Sequence, residues 1–360
     1  MRLPLANATG RTGQVRDGNT PSVGILPVIH SVEVERFRGI REGKVDQLTP
    51  LVVLVGPNGC GKSTLLEALL IGGGAELGSS WRHVLERRDA LFDQLRWVFW
   101  KGEKGYRLVV MVAGEDKARS QCQLELLVDR TEHGLDEYRV TAGRWVAGQE
   151  GGAAGDTFMI VTDPRQMKWD PVRSGFSNAV LVDAARRQGE PLHRLYSECT
   201  RQGRREEIKR VIAEIVPGVI DVEILTEQDQ PVLYFVYSDR SVPAALAGDG
   251  VFALLRLILQ FGANSEGTIL LEEPEVHQHP AALRQSARAI WVAIRRGLQV
   301  VLTTHSLELI DALLAESNDQ DLEKLSLYRL ALSEDGLLAS TRIEGSDVAF
   351  ARTEIENDLR

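Results

Sequence analysis

The fold of this chain is decided by nine residues, Gly56-Pro57-Asn58-Gly59-Cys60-Gly61-Lys62-Ser63-Thr64. They follow the apolar run Leu51–Val55 and precede a leucine-rich stretch that begins at Leu65. The nine residues fit G-x-x-x-x-G-K-[ST], a phosphate-binding loop between a buried strand and a helix. Its glycines let backbone N–H groups close around a phosphate at the positive end of that helix. The loop therefore predicts an α/β fold with a nucleotide site.

All nine residues of this loop are predicted to contact ATP, and three of them have distinct roles. Lys62 is expected to bridge β- and γ-phosphate oxygens, Ser63 to hold Mg²⁺ through its hydroxyl, and Thr64 to lie near the α-phosphate. The competing interpretation is a glycine-rich turn with a chance lysine. The strand before the loop and the helix after it favour the phosphate-binding interpretation.

A second apolar run, Ile269-Leu270-Leu271, ends in Glu272-Glu273-Pro274. Downstream of a phosphate loop, an acid at the end of a buried strand is expected to fix Mg²⁺. We assign that role to Glu272, and we assign to Glu273 the role of the base that orients the attacking water. The competing interpretation is an acidic pair at a helix N-terminus without chemistry.

A third apolar run, Val300–Thr304, ends at His305. A neutral imidazole at that point can reach a γ-phosphate from the side opposite Lys62. A lone histidine at a strand end is usually structural, but the phosphate loop and the acidic pair favour a catalytic role here. His305 is therefore predicted to be catalytic together with Glu273.

Four stretches outside the phosphate loop carry a resemblance to a known family. They are Val34-Glu35-Arg36-Phe37-Arg38-Gly39-Ile40, Pro243-Ala244-Ala245-Leu246-Ala247-Gly248-Asp249-Gly250, Glu272-Glu273-Pro274-Glu275-Val276-His277-Gln278-His279-Pro280 and Thr303-Thr304-His305-Ser306. In that order they resemble the "NFRGI" strand, the "LGDG"-type signature, the acidic stretch [DE]-E-P-E-x-H-L-H-P and the switch-histidine motif of the RecF/OLD-like, SMC-related branch of ABC-type ATPases. The resemblance spans His30 to Ser306, although residues 72–240 carry almost none of it.

The resemblance implies an ABC-type ATPase head with a central mostly parallel sheet, an antiparallel β region and an inserted helical or mixed subdomain. It implies ATP hydrolysis with Mg²⁺ in a homodimer or higher oligomer that sandwiches ATP, and it adds Arg38 to the ATP site. In such a dimer, a signature segment of one chain would close on the γ-phosphate held by the other chain. That segment consists here of Ala247, Gly248, Asp249 and Gly250.

Two departures from the wider ABC pattern concern the coupling of ATP to the inserted subdomain and to the partner chain. Ala247 stands where many members carry a serine, so backbone amides would have to make more of the phosphate contact. The glutamine of the Q-loop stays open among Gln94, Gln121 and Gln123.

The chain divides by composition into four predicted parts. Residues 1–27, rich in Gly, Thr, Asn and Pro, are expected to form a flexible arm. Residues 28–115 are predicted as an ATPase lobe with the phosphate loop, residues 116–240 as an inserted mixed α/β subdomain, and residues 241–360 as a lobe with the signature, the acidic pair and the switch histidine. A Gly/Ala-rich loop at 148–155 could mark an edge of the insertion.

Hydrophobic patterning predicts the following elements along the chain. Strands are expected at 31–37, 44–48, 51–55, 106–112, 123–128, 139–146, 219–225, 232–237, 268–271 and 300–304, and a hairpin at 325–332 and 337–343. Helices are expected at 65–71, 81–96, 191–215, 250–260, 281–295 and 307–315.

Composition excludes several classes of protein. The 42 Lys and Arg against 51 Asp and Glu give a net charge of −9, which argues against a wholly basic nucleic-acid-binding domain. Three widely spaced cysteines indicate neither a disulfide framework nor a zinc knuckle. No apolar run reaches the ~20 residues of a membrane span, and the N-terminus lacks the core of a secretory signal. We therefore expect a cytoplasmic protein without a membrane partner.

Three further features have a functional and a bland interpretation. Glu275, His277 and His279 have the side chains of metal ligands, but in the resembling family this stretch lines the dimer seam. The basic residues between 201 and 210 could bind nucleic acid or a partner, but such clusters are usually solvated helix faces. Cys60 could be a regulatory thiol, but it is better explained as a substitute for serine.

The favoured function is the ATPase or sensor component of a DNA-linked anti-phage defence or toxin–antitoxin-like module. Residues 307–360 are too few for a Toprim nuclease, so the nuclease or toxin effector is expected to be a separate chain, and DNA is a further candidate partner. The alternatives are a RecF-like DNA repair accessory ATPase, the nucleotide-binding subunit of a transporter, and a scaffold gated by ATP without turnover. The missing LSGGQ sequence counts against the transporter, and the lack of NKxD counts against a GTPase.

Overall fold

The computed structural model describes residues 29–87, 95–102, 106–114, 119–130, 136–147, 158–161, 178–183, 189–354 and 358–359. The predicted arm at 1–27, the predicted loop at 148–155 and Gln94 lie outside these residues. Within the described residues, no helix is long and apolar enough to cross a membrane.

The described elements are fifteen strands and nine α-helices, and they alternate only from α5 (Asp249–Ala263) to α7 (Leu307–Ala315). The strands are β1 (Ile29–Phe37), β2 (Ile40–Val45), β3 (Leu51–Val55), β4 (Tyr106–Gly114), β5 (Arg119–Arg130), β6 (Asp136–Ala147), β7 (Phe158–Val161), β8 (Val180–Asp183), β9 (Asp221–Glu227), β10 (Gln230–Val236), β11 (Ser241–Pro243), β12 (Thr268–Glu272), β13 (Gln299–Thr303), β14 (Leu325–Leu332) and β15 (Leu337–Glu344). The helices are α1 (Lys62–Gly73), α2 (Leu77–Glu86), α3 (Leu192–Arg201), α4 (Arg205–Ile215), α5 (Asp249–Ala263), α6 (Pro280–Arg295), α7 (Leu307–Ala315), α8 (Asp319–Leu322) and α9 (Gly345–Thr353).

Most predicted elements are confirmed, and two need correction. The strand predicted at 44–48 is wrong in its limits, because the polypeptide turns at Arg38 and Gly39 and β2 already begins at Ile40 to pair with β1. The helix predicted at 81–96 is also misplaced, since α2 starts at Leu77 and ends at Glu86, and a short 3₁₀ turn occupies Leu95–Val98.

A twelve-stranded sheet forms the centre of the fold, in the order β7-β6-β5-β4-β1-β2-β15-β14-β3-β13-β12-β8. The five strands β14, β3, β13, β12 and β8 are parallel to one another, whereas β7 to β2 form an antiparallel region. Between them, β15 is antiparallel to β14 and parallel to β2. Strands β5 to β8, although they lie within the predicted insertion at 116–240, pair into this sheet. The fold is thus the expected α/β ATPase head, and the four-part domain division stays a prediction.

The two faces of the sheet pack against separate hydrophobic cores. Every residue of β3 is buried; Val52 and Leu54 belong to the core that contains α1 and α2, whereas Leu51, Val53 and Val55 belong to the core that contains α6 and α7. Burial on both faces explains the uninterrupted apolar run that the sequence shows here. Because β3 is fixed from both sides, the loop that follows it has a rigid base.

A third core lies outside the main sheet. It is formed by α3, α4, part of α5 and the three-stranded antiparallel sheet β11-β10-β9. Leu257 and Phe261 of α5 pack instead in the core of α6 and α7. Helix α5, which follows the predicted signature, therefore connects the third core to the main sheet.

Candidate active site

The phosphate loop joins β3 to α1 in a backbone conformation that depends on glycine. Gly56 has φ +142°, and a Cβ there would lie 2.5 Å from the carbonyl oxygen of Leu330 and 2.9 Å from Cys60 Sγ. Gly61 precedes α1 with φ +98°. The first turn of α1 has neither a side-chain cap nor an acidic residue, so its amide groups and positive dipole end suit an anion.

Lys62 is buried, with its ammonium group folded over the loop. Its Nζ donates to the carbonyl oxygens of Gly56 at 2.8 Å and Pro57 at 3.1 Å, and it lies 3.9 Å from Cys60 Sγ. The side chain is only 6% exposed. A buried positive charge next to uncapped helix amides gives the loop the electrostatics of a phosphate site.

The sheet places the acidic pair and the switch histidine beside this loop. Strands β3, β13 and β12 are parallel neighbours, with Leu54 opposite Thr303 and Thr303 opposite Glu272, and the Thr304 amide donates to Leu54 O at 3.1 Å. Carboxyl ends of parallel strands meet at one edge, which is where ligands bind in open α/β sheets. The predicted site residues are therefore brought together.

Glu273 and His305 face each other at this edge. Glu273 Oε1 lies 3.7 Å from His305 Nε2, and both side chains are partly exposed. Glu273 adopts φ +43°, with its amide donating to Thr303 O at 3.1 Å and to Thr303 Oγ1 at 3.2 Å. A carboxylate and an imidazole so placed can orient a water and contact a phosphate oxygen.

Glu272 belongs to a buried ionic cluster that the sequence analysis did not identify. Arg87, the C-cap residue of α2, is ion-paired with Glu272 and lies 3.3 Å from both Glu67 and Asp183. Arg38, predicted to contact ATP, is ion-paired with Glu67 of α1, and its contact with ATP stays a prediction. In the sequence, Glu67 stands out as an acidic residue within the apolar stretch that forms α1. Nothing near it in the sequence identifies Arg87 as its partner.

The predicted signature packs against the turn that follows β12 in its own chain. This turn consists of residues 273–278 and is called the acidic turn below. A Cβ on Gly250 would lie 2.7 Å from the His277 carbonyl oxygen, whereas a Cβ on Gly248 would meet nothing within 4 Å. Gly248 is the N-cap of α5, and the nearby Leu246 is 74% exposed. The start of α5 is thus in contact with the chain on one side and open on the other.

Two protein families and one short relative match parts of this chain. Residues 31–122 match a family described as "AAA domain", and residues 169–311 match a family described as "AAA domain, putative AbiEii toxin, Type IV TA system". An uncharacterized protein of Methanocaldococcus jannaschii, MJECL11, is 30% identical over 114 residues, which cover 98% of that protein and 31% of this chain. This chain contains AAA-type P-loop ATPase domains.

A relative and a solved structure support the same assignment. The ATPase is 21% identical to a protein of Helicobacter pylori named "ATP/GTP phosphatase", across 79% of this chain and 87% of that protein. Its fold is similar to that of an Smc head bound to the C-winged helix domain of ScpA, with a TM-score of 0.51 and 13% identity, across 88% of this chain and 98% of the other. The protein is therefore an enzyme that hydrolyses ATP on an SMC-head-like α/β fold.

The alternative metal site at Glu275, His277 and His279 is not formed in the ATPase. His279 caps α6, its Nδ1 accepting from the Ala281 amide at 3.3 Å. Across the described residues, no three His, Cys, Asp or Glu side chains are grouped to hold a metal ion. The donor set of Ser63 and Glu272 consists of oxygens, which suits a Mg²⁺ ion that takes its remaining ligands from phosphates and water.

The basic residues of α3 and α4 have partners within the ATPase. Lys209 Nζ lies 3.1 Å from Asp221, and Arg201 is ion-paired with Glu198. Arg204 Nη1 donates to the carbonyl oxygen of Gly262 at 2.8 Å, at the C-terminal end of α5. These contacts give three residues of the basic cluster partners within the chain, and its role as a patch for nucleic acid or a partner stays open.

The position of the Q-loop glutamine stays open. Gln121 and Gln123 both lie in β5, within the antiparallel region of the sheet.

Proposed function

We propose that this ATPase binds ATP at residues 56–64 and hydrolyses it with Glu273 as the base and His305 as the γ-phosphate contact. The observation that carries the proposal is the 3.7 Å separation of Glu273 Oε1 and His305 Nε2 at the strand edge that bears the phosphate loop. Lys62, already desolvated, supplies positive charge to the β- and γ-phosphates. Glu273 orients water for in-line attack and accepts its proton.

Ser63 and Glu272 are the residues that would hold Mg²⁺, and the ion would neutralise charge that develops on the transferred phosphate. Arg87 neutralises part of the carboxylate charge around Glu272. Arg87 is itself held by Glu67 and Asp183. Its ion pair with Glu272 therefore fixes the position of this carboxylate at the end of β12.

We further propose that two copies of the chain close around ATP, with residues 247–250 of one copy against the phosphate held by the other. The open space at Gly248 and the exposure of Leu246 support this arrangement, since both leave the start of α5 accessible to a second chain. Helix α5 has no side-chain cap at Gly248, so its N-terminal amides favour an anion, against the opposing charge of Asp249 in its first turn.

Gly248→Arg tests the dimer separately from the nucleotide site. The added side chain has room within one chain but would obstruct a second, so we expect unchanged ATP binding and loss of ATP-dependent dimerisation and turnover. Mixing Gly248→Arg with Lys62→Ala should restore some turnover, because one composite site then pairs an intact phosphate loop with an intact signature. Loss of ATP binding by Gly248→Arg alone would refute the trans assignment.

As a biological role, we propose an ATPase or sensor in a DNA-linked anti-phage or toxin–antitoxin-like module with a separate effector chain. The support is the matching family description, which names a type IV toxin–antitoxin system, together with the RecF/OLD-like motifs. Bacteria that carry the gene with its chromosomal neighbours should resist phages that kill cells carrying Lys62→Ala. Equal survival of the two strains across a phage panel, with a defect in DNA repair instead, would favour the RecF-like alternative.

A further inference from the structure

Glu275 connects the acidic turn to residues 303–306, which carry the predicted switch histidine and are called the switch segment here. The backbone ladder between β12 and β13 ends at Glu272 and Thr303. Beyond that point, one carboxylate oxygen of Glu275 accepts from Thr304 Oγ1 at 2.6 Å and from the His305 amide at 3.0 Å. The backbone of the predicted catalytic histidine is therefore held by a side chain three residues after the predicted magnesium acid.

The turn that carries Glu275 is itself fixed. The Val276 amide donates to Glu273 O at 3.0 Å, and the Gln278 amide donates to Glu275 O at 3.0 Å. Gln278 Nε2 donates to Pro274 O at 2.6 Å, and Gln278 Oε1 accepts from Ser286 Oγ of α6 at 2.7 Å. These four bonds preorganise the turn, so the carboxylate needs little rearrangement to hold the histidine.

The carboxyl group of Glu275 is buried, and burial changes the energy of its two hydrogen bonds. Burial raises the pKa of Glu275, while the hydrogen bonds from Thr304 and His305 oppose that rise. A desolvated carboxyl group that accepts two short hydrogen bonds is costly to leave unmatched, and hydrogen bonds are stronger in such surroundings than in water. The switch segment is therefore tightly specified relative to the acidic turn.

We propose that Glu275 is a positioning residue, which sets the distance between His305 and Glu273 and thereby the rate of ATP hydrolysis. The proposal rests on the catalytic role of His305 proposed above. Glu275 would not touch ATP, and it would act only through the histidine backbone. Displacement of a catalytic group by about 1 Å can cost up to ~100-fold in rate.

Four variants test this role: Glu275→Ala, Glu275→Gln, His305→Ala and the double variant Glu275→Ala/His305→Ala. Steady-state phosphate release gives kcat and KM, and calorimetry gives ATP affinity. We expect Glu275→Ala to lower kcat about 10- to 100-fold, with KM and ATP affinity unchanged within about twofold. Glu275→Gln should recover most of kcat, because its amide oxygen accepts the same two hydrogen bonds.

The double variant distinguishes positioning from a general structural role. If Glu275 acts through His305, the double variant should be no slower than His305→Ala alone; rates that multiply would overturn the proposal. A Glu275→Gln enzyme as slow as Glu275→Ala would overturn it as well. If His305→Ala hydrolyses ATP at the wild-type rate, the proposed function itself is wrong.

A second pair of variants covers the case in which Glu275→Ala does not fold. Thr304→Val keeps the shape of the buried side chain but removes both the donor to Glu275 and the acceptor of the Ser306 amide, whereas Thr304→Ser keeps the hydroxyl group that makes both bonds. We expect a kcat loss of a few-fold or more for Thr304→Val and little loss for Thr304→Ser. Equal kcat values for the two folded variants would overturn the proposal.

Discussion

Replacement of Arg87 by methionine should strongly lower the free energy of unfolding of the ATPase. Because Arg87 is buried, the substitution leaves the exposed surface of the protein almost unchanged. Arg87 is 8% exposed in its side chain, and it serves the fully buried Glu67 and two carboxylates, Asp183 and Glu272, that are 13% exposed. Removing one partner from such a buried network typically costs 3–5 kcal/mol, because the remaining charges lose their compensation. Since Arg38 still pairs with Glu67, we expect the lower end, about 3 kcal/mol.

Urea denaturation followed by circular dichroism and by tryptophan fluorescence measures this loss; coincidence of the two transitions tests for intermediates. Trp81, one of six tryptophans, lies buried on α2, so part of the fluorescence reports on the helix that ends next to Arg87. Arg82→Met is the matched control, because Arg82 is exposed on the same helix, and it should change stability by no more than about 0.5 kcal/mol. An Arg87→Met protein within about 1 kcal/mol of the wild type would refute the reasoning.

Three other predictions concern single residues. Lys62→Ala should weaken ATP binding roughly 10- to 150-fold in calorimetry, by loss of a charge-assisted contact of about 1.5–3 kcal/mol; unchanged affinity would exclude the loop as the site. Glu273→Gln should bind ATP but hydrolyse it ~100-fold more slowly or worse, and should trap a dimer visible by light scattering; a monomer with ATP bound would contradict the sandwich. Asp321 is buried, which raises its pKa, but hydrogen bonds from Arg295 and the Asn318 amide hold that pKa below its usual range. The stability that Asp321 adds over Asp321→Asn should therefore be present at neutral pH and be lost as the pH falls below ~4; a difference in unfolding free energy that grows in acid would show the sign to be wrong.

The sequence predicts what depends on neighbours along the chain. The phosphate loop is recognisable because its glycines and its lysine are close together in the sequence. Strands β3, β12 and β13 are recognisable because burial on both faces requires an uninterrupted run of apolar residues at their centres. Adjacency of the acidic pair and the histidine then followed from the rule that parallel strands end at one edge.

The rest could not be predicted because its partners are distant in sequence. Arg87 pairs with Glu67, Asp183 and Glu272, which belong to three different elements, and no local period marks such a cluster. For the same reason the ion pair between Arg38 and Glu67 could not be predicted, because the two residues belong to different elements. The sequence marks Glu275 only as a possible metal ligand. Its contacts with Thr304 and His305 join residues that are distant in the sequence, so no local pattern predicts them.

The two glycines at the start of α5 should have different evolutionary histories. Position 248 has φ −57° and free space for a side chain, so its own chain imposes no steric limit on drift, and any restriction there must come from another molecule. Position 250 is confined by the His277 carbonyl 2.7 Å from where a Cβ would be, so selection against side chains there acts within each chain before any assembly occurs. Under the proposed sandwich, variation among relatives at position 248 alone would therefore record how the surface that faces the second chain has changed.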